Sequence, residues 1–341
     1  MTRRIRNLVL GGATAALAMA GALSPGFAVE PNDFTNYLRG ATQGLPLGAA
    51  PPTGIYAGFG VNATGLPAGL YNAGTGNQTI PGKVTAPAFG YGATVLFVPG
   101  WTFLGATYSA AVVQGAYIST AEGTANPPFT SSGANAQLAN TNVTPIDLSW
   151  SLGHGWFVAG ALTVVGPDGS QYAATPTSVN LNPDYWTFAP GAAISYLDAN
   201  WLFSANFRYD INTASRGVTM NAAFAPVASN GYTSGNELFG DFTWLYKIGK
   251  WQFGPVGYFE AQTTADSPGG GVTCAGTPGL CGYQTQVAVG ALVGYDFGPV
   301  AMQAWFDDTV ECQNAVCGLD VWFRTSFKLW SPESRPIVAK Y

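Results

Sequence analysis

The chain has 341 residues and a formal net charge of −5, with only 9% charged residues against 47% hydrophobic and 13% aromatic. That charge content is far below the roughly 25% of a soluble domain, and the acidic balance leaves no basic surface to meet phosphates, which excludes nucleic acid as a partner. Beyond the N-terminus no apolar run approaches the ~20 residues of a membrane helix, so a surface that is not made for water must be built from strands.

Arg3, Arg4 and Arg6 precede an apolar run from Leu8 to Leu23 and the small-residue site Pro25-Gly26-Phe27-Ala28. Residues 1–28 therefore read as a secretory signal peptide cut after Ala28, with an uncut signal anchor as the alternative. Cleavage removes three of 13 basic residues and leaves ten against 18 acidic ones, a charge of about −8. Residues 29–52, with Gly, Pro and mixed polar content, read as a periplasmic N-terminal segment or as a plug for the barrel formed by the rest of the chain.

From residue 53 to 330 the pattern is all-β. Apolar and polar residues alternate near 53–61, 84–99, 101–120, 142–152, 155–166, 184–197, 200–212, 236–248, 250–265, 283–297, 299–311 and 317–330, about twelve strands. Connections alternate between short and long. Pro99-Gly100, Gly153-His154, Leu197 to Asn200, Gly249-Lys250 and Gly298-Pro299 have the residues of tight hairpins, whereas 62–83, 121–142, 166–183, 213–235 and 266–282 are long and rich in Gly, Ser, Thr and Asn. The expectation is a transmembrane up-and-down antiparallel β-barrel in the outer membrane of a Gram-negative bacterium, with short periplasmic turns and long extracellular loops. Residues 331–341 form a polar C-terminal tail.

Period two separates the faces. Between Trp201 and Asn212, Trp201, Phe203, Phe207 and Tyr209 oppose Ser204, Asn206, Arg208 and Asp210, lipid against lumen. Pro190 and Pro255 interrupt otherwise continuous strands; a closed barrel has no edge to hide a missing donor, so each is expected to make a bulge or kink in the wall, and the wall near Pro190 would offer a sideways exit into the bilayer. Cys274 with Cys281 and Cys312 with Cys317 are close local pairs and read as loop disulfides of an exported protein, a four-thiolate zinc site being the alternative.

Three segments resemble those of a known family. They are Asn182-Pro183-Asp184-Tyr185-Trp186-Thr187-Phe188-Ala189-Pro190-Gly191, Tyr232-Thr233-Ser234-Gly235-Asn236-Glu237 with Asp241, and Tyr37-Leu38-Arg39-Gly40 running to Pro51-Pro52-Thr53-Gly54-Ile55-Tyr56. Together they are similar to an outer-membrane β-barrel family named after the meta-cleavage pathway of phenol degradation. The resemblance implies a transporter of aromatic or other small organic compounds.

No catalytic constellation is expected: the single histidine, His154, sits in a tight turn without a serine and acid beside it. No cofactor motif is present, and Asp307-Asp308 with Glu311 read as solvated acids before they read as a metal site. Twelve strands enclose a narrow lumen, between the filled eight-stranded barrels and the open 16- to 18-stranded pores. Tyr185, Asn206, Arg208, Asp210, Glu237, Asp241 and Lys247 are candidate residues of a solute path through it, as are Tyr258, Glu260, Trp305, Asp307, Trp322 and Arg324. The acidic excess among them favours neutral or cationic solutes. The expected partners are outer-membrane lipid, a small organic solute and the barrel-assembly machinery. The function read from the sequence is passive uptake of small, aromatic or apolar molecules; the alternative is a non-conducting barrel whose long loops bind surfaces.

Overall fold

The computed structural model describes residues 35–72, 84–85, 88–119, 122–123, 129–130, 135–170, 182–215, 218–220, 226–228, 231–267, 269, 283–313 and 315–332. The signal-peptide and tail-end readings, and the Cys274–Cys281 pair, lie outside them.

Twelve long strands form the wall: β1 (Gly54–Asn72), β2 (Ala88–Val98), β3 (Ala106–Ser119), β4 (Asn142–Gly153), β5 (Trp156–Val165), β6 (Thr187–Leu197), β7 (Trp201–Asn212), β8 (Glu237–Ile248), β9 (Trp251–Gln262), β10 (Thr285–Asp296), β11 (Val300–Gln313) and β12 (Ala315–Trp330). Each pairs antiparallel with the next, and β1 pairs with β12 from Ile55↔Trp330 to Asn72↔Ala315, so the sheet closes on itself. The shortest, β5, has ten residues. At ~3.3 Å per residue it extends ~33 Å, enough to cross an apolar band ~25 Å tall when tilted by ~40°.

The alternation decides which side faces lipid. On β11, Phe306 is 46% exposed, while its neighbours Trp305 and Asp307 are 4% and 0% exposed. Phe89, Val289, Phe323 and the rest of the exposed hydrophobics form the outer surface. Near the short turns, exposed tryptophans pair across strands with half-buried tyrosines, Trp156 with Tyr196, Trp201 with Tyr246 and Trp251 with Tyr295, at centroid distances of 5.1, 4.7 and 4.7 Å. Such a girdle sits at a membrane interface, where a ring finds both hydrocarbon and water. This is an outer-membrane β-barrel.

Several expected boundaries move. β1 runs to Asn72 instead of ending near 61, because register shifts between Ala63 and Leu66 and between Leu66 and Leu70 absorb the Gly65-Leu66-Pro67 irregularity. The turn expected at Pro99-Gly100 lies at Leu104-Gly105, where Thr102 and Phe103 pair with Thr107 and Ala106. Leu104 and Gly105 have φ of 50° and 79°, and His154 and Gly155 have 51° and 82°, the paired positive angles of a two-residue hairpin that matches strand twist. The expected wall kinks are not seen as register shifts. Beside Pro190 the pairs Phe188↔Ile211 and Gly191↔Arg208 keep one register across a two-residue gap, as do Thr243↔Val256 and Tyr246↔Phe253 beside Pro255. A strand residue aims its N–H at one neighbour only, so a proline interrupts the ladder on that side and leaves the other intact; Pro190 remains opposite Leu162 and Pro255 opposite Ala291.

The Cys312–Cys317 disulfide, with an S–S distance of 2.01 Å, bridges the β11–β12 connection. Val289, 52% exposed midway along β10, tests the membrane assignment. Val289→Arg is expected to destabilise the barrel by about 2–4 kcal/mol in lipid vesicles, read by urea unfolding, and to cost little if that face met water.

Candidate functional site

The lumen has two layers. Toward the short turns, Leu202, Leu245, Val256, Leu292, Trp305 and Trp322 make an apolar cluster inside the barrel. Trp305 and Trp322 stack at 5.3 Å with rings 4° from parallel, and the Arg324 guanidinium lies 4.8 Å from the Trp305 ring. Toward the long loops the inward faces are polar and buried: Arg208, Asp210, Glu237, Asp241, Glu260, Gln262, Gln286, Asp307 and Asp320.

Residues 35–50 lie in this lumen, in turns without helix or strand, bonded to inward-facing wall residues. Asp241 on β8 is the principal contact. Its Oδ2 accepts from the Tyr37 hydroxyl at 2.7 Å, the Thr42 hydroxyl at 2.5 Å and the Thr42 N–H at 3.1 Å, and its Oδ1 accepts from the Gly40 N–H at 3.0 Å. Charged acceptors strengthen each bond. Arg39 pairs with Glu260 at 2.8 Å, and Gln43 Nε2 donates to Asp307 at 3.1 Å. Arg324 donates to the carbonyls of Ala41 and Gln43, at 2.9 and 2.5 Å, and to Gln303 Oε1.

Further along, Gly44 N–H donates to Thr243 Oγ1 at 2.8 Å and Gly44 C=O accepts from Gln303 at 2.9 Å. Glycine is required there: φ is +78°, and a Cβ would lie 2.7 Å from Leu292 Cδ1. Gly48 and Ala50 bond Ser195 and Ser149 on β6 and β4. At the other end Asn36 bridges Thr187 and Asn140.

Most of the residues singled out from the sequence converge here. Asn206 donates to Thr42 Oγ1 at 3.3 Å. Arg208 forms two bonds with Asp210, at 2.5 and 3.0 Å, and its guanidinium sits 4.8 Å from the Tyr37 ring, whose other contact is Phe239 at 5.0 Å. Tyr258 donates to Asp320 at 2.9 Å, and Glu260 accepts from Gln284 as well as Arg39. Glu237 is 1% exposed and directly opposite Asp210. Tyr185 is buried two residues ahead of β6.

Lys247 is brought elsewhere: near the end of β8 it donates to the Asp198 carbonyl at 3.3 Å, at the short-turn rim. Asp198 itself, in the turn, is held below the usual carboxylate range by the N–H of Asn200 and the Tyr196 hydroxyl. Asp307 and Asp308 part company, one buried and one exposed, because neighbours in a strand face opposite ways. His154 is exposed in its turn.

Sequence reading put Ser149 and Thr243 on the inward face, and the structure buries both there; the contacts it missed include Thr42, Gln43, Ser195, Phe239 and Gln303. Parity alone would have added Phe239 and Leu245 to the inward face with Asp241.

Asp241→Ala removes the acceptor of four bonds. Hydrogen exchange at residues 37–44 is expected to lose roughly a hundredfold protection, about 2.7 kcal/mol, while the wall strands keep theirs.

Comparison with known proteins places this geometry. The fold is similar to the crystal structure of the COG4313 outer membrane channel from Pseudomonas putida F1, at a TM-score of 0.61 and 10% identity, over 82% of this chain and 96% of that one. Lower likeness, at TM-scores of 0.44 and 0.43, is found to the translocator domain of autotransporter NalP from Neisseria meningitidis and to the TodX monoaromatic hydrocarbon channel. They are 11% and 9% identical, over 82% and 89% of this chain and 89% and 96% of theirs. No curated protein matches the sequence. The family model described as "Putative MetA-pathway of phenol degradation" matches residues 70–325, three quarters of the sequence, and the chain belongs to that family.

Proposed function

We propose that the protein is a passive outer-membrane channel for small apolar or aromatic molecules, with residues 29–52 acting as its plug. The carrying observation is the pair of opposed properties in one lumen: a wall of twelve long strands paired all the way round, and a filling of residues 35–50 held by hydrogen bonds instead of being part of the ladder. Such bonds contribute about 1 kcal/mol each net, more to charged partners. A segment held this way exchanges between seated and displaced states far more readily than a strand leaves a closed sheet. The inward carboxylates Asp210, Glu237, Asp241, Glu260, Asp307 and Asp320 outnumber Arg39, Arg208 and Arg324, so anions are disfavoured.

The channel reading needs no catalytic group, and we assign the protein no enzymatic role. The filled lumen also supports a second reading, a non-conducting barrel whose long loops bind surfaces or partners.

Planar-bilayer recording separates the two. The refolded chain is expected to show small discrete steps that phenol interrupts, and Asp241→Ala is expected to raise the conductance roughly twofold or more by loosening the segment. Vesicles containing the protein are expected to take up phenol faster than benzoate. Absence of steps in both proteins, with no phenol uptake, would favour the surface-binding barrel.

A further inference from the structure

The lumen is not filled evenly. The hydrogen bonds of residues 35–50 to the wall run to β4, β6, β7, β8, β9, β11 and β12, and none among the described residues reaches β1, β2 or β3. On that side a cleft separates Tyr37 and Leu38 of the segment from Ala88 on β2 and Tyr117 on β3, with Asn62 on β1 and Asp320 on β12 at its edge. Glycine at position 90 makes room for it, since a Cβ there would lie 2.3 Å from Asn62 Oδ1 and 3.3 Å from Tyr117 Cδ1.

The two aromatic walls differ in stiffness. Tyr37 is fixed by its bond to Asp241, by Phe239 against its ring and by the Arg208 guanidinium. The Tyr117 hydroxyl makes no hydrogen bond among the described residues. The enclosed part of the cleft is about 30 Å3, room for water and not for a ring. A ring could enter only if a wall side chain moved, and of the two tyrosines Tyr117 is the one that no hydrogen bond among the described residues holds.

We propose that this cleft is the selective step of the solute path, opened by rotation of Tyr117, and that its ligand is a single-ring aromatic carrying a neutral hydroxyl. The inference rests on the channel reading above. The ring lies between Tyr37 and Tyr117, and the hydroxyl donates to the Asp320 carboxylate. Asp320 Oδ1 accepts from Gly65 N–H at 3.1 Å and Oδ2 from Tyr258 at 2.9 Å, and each oxygen keeps a second acceptor site. Arg39 borders the cleft, but Glu260 already neutralises it, so an aromatic carboxylate finds no free cation among the described residues and meets the charge of Asp320.

The test uses the full mature chain, refolded in detergent, with 4-fluorophenol followed by fluorine NMR. Saturable binding is expected, weakened at least ~fivefold by Ala88→Phe, which fills the cleft, and by Tyr117→Ala, which removes its movable wall. 4-Fluorobenzoate is expected to bind at least ~tenfold more weakly than 4-fluorophenol. No saturable binding to the wild-type chain, equal binding of the benzoate, or unchanged affinity in folded Tyr117→Ala overturns the proposal; if Ala88→Phe does not fold, Tyr117→Ala decides alone. Phenol uptake by vesicles judges the channel reading separately. Uptake with binding unaffected by both variants removes the cleft and keeps the channel, whereas binding lost in both variants without any uptake keeps the cleft and removes the channel.

Discussion

The pairing of β1 with β12 is the constraint on which everything else rests. In hydrocarbon an unpaired backbone N–H or C=O has no water to turn to, and each costs several kcal/mol, so a sheet in a membrane must have no edge. Closure needs an interior, and period two then gives every strand one face for lipid and one for that interior. Among the described residues, most charges in the middle of the wall strands face the inside, and the exposed ones gather mainly near the turns and rims. That explains how a protein with so few charges can bury Arg208, Asp210, Glu237, Asp241, Glu260, Asp307, Asp320 and Arg324 together.

Buried charges are costly unless they are paired and hydrogen-bonded, and a twelve-stranded barrel is too wide for its own side chains to complete the pairing. Residues 35–50 supply the missing partners. Arg39 answers Glu260, the backbone N–H groups of Gly40 and Thr42 answer Asp241, and the carbonyls of Ala41 and Gln43 answer Arg324. The apolar layer below is finished in the same way by Leu38 and Ala41 against the Trp305–Trp322 stack. Wall and segment are thus one polar network built from two parts of the chain, and the backbone groups of the segment are divided between the wall and its own tight turns.

Much of this was legible in the sequence. Alternation in stretches such as Trp201 to Asn212 fixes both strand and face, so the barrel, its strand number and the inward position of Arg208 and Asp241 follow from parity. Register across irregular stretches could not be read. Gly65 and Pro67 look like the start of a loop, yet β1 continues through them by shifting register against β12. Pro190 and Pro255 look like kinks, yet they cost the ladder on one side only. The partners of Asp241 lie about two hundred residues away in a stretch with no periodicity, 199 to 204 positions by sequence separation. The motif Tyr37-Leu38-Arg39-Gly40 signalled two of them, Tyr37 and Gly40, and its Arg39 bonds Glu260; Thr42 had no signal. The motif around Tyr232 to Glu237 acts likewise on the loops, since Gly235 N–H donates to Asp266 and the Gly235 carbonyl accepts from Asn212.

The spread of the segment's bonds bears on the order of assembly. Its partners begin at Asn140 and end at Arg324, at separations of 99 to 283 residues. The cradle that holds it does not exist until nearly the whole wall has been laid down. The part of the barrel nearest the N-terminus is therefore the last that can find its final place, and it must be inside before β1 and β12 meet or thread in afterwards from the short-turn side. Contacts of such long range are slow to form, and on the second route an empty, closed barrel with its segment unseated would be the late intermediate. That intermediate has the open lumen that the finished molecule fills.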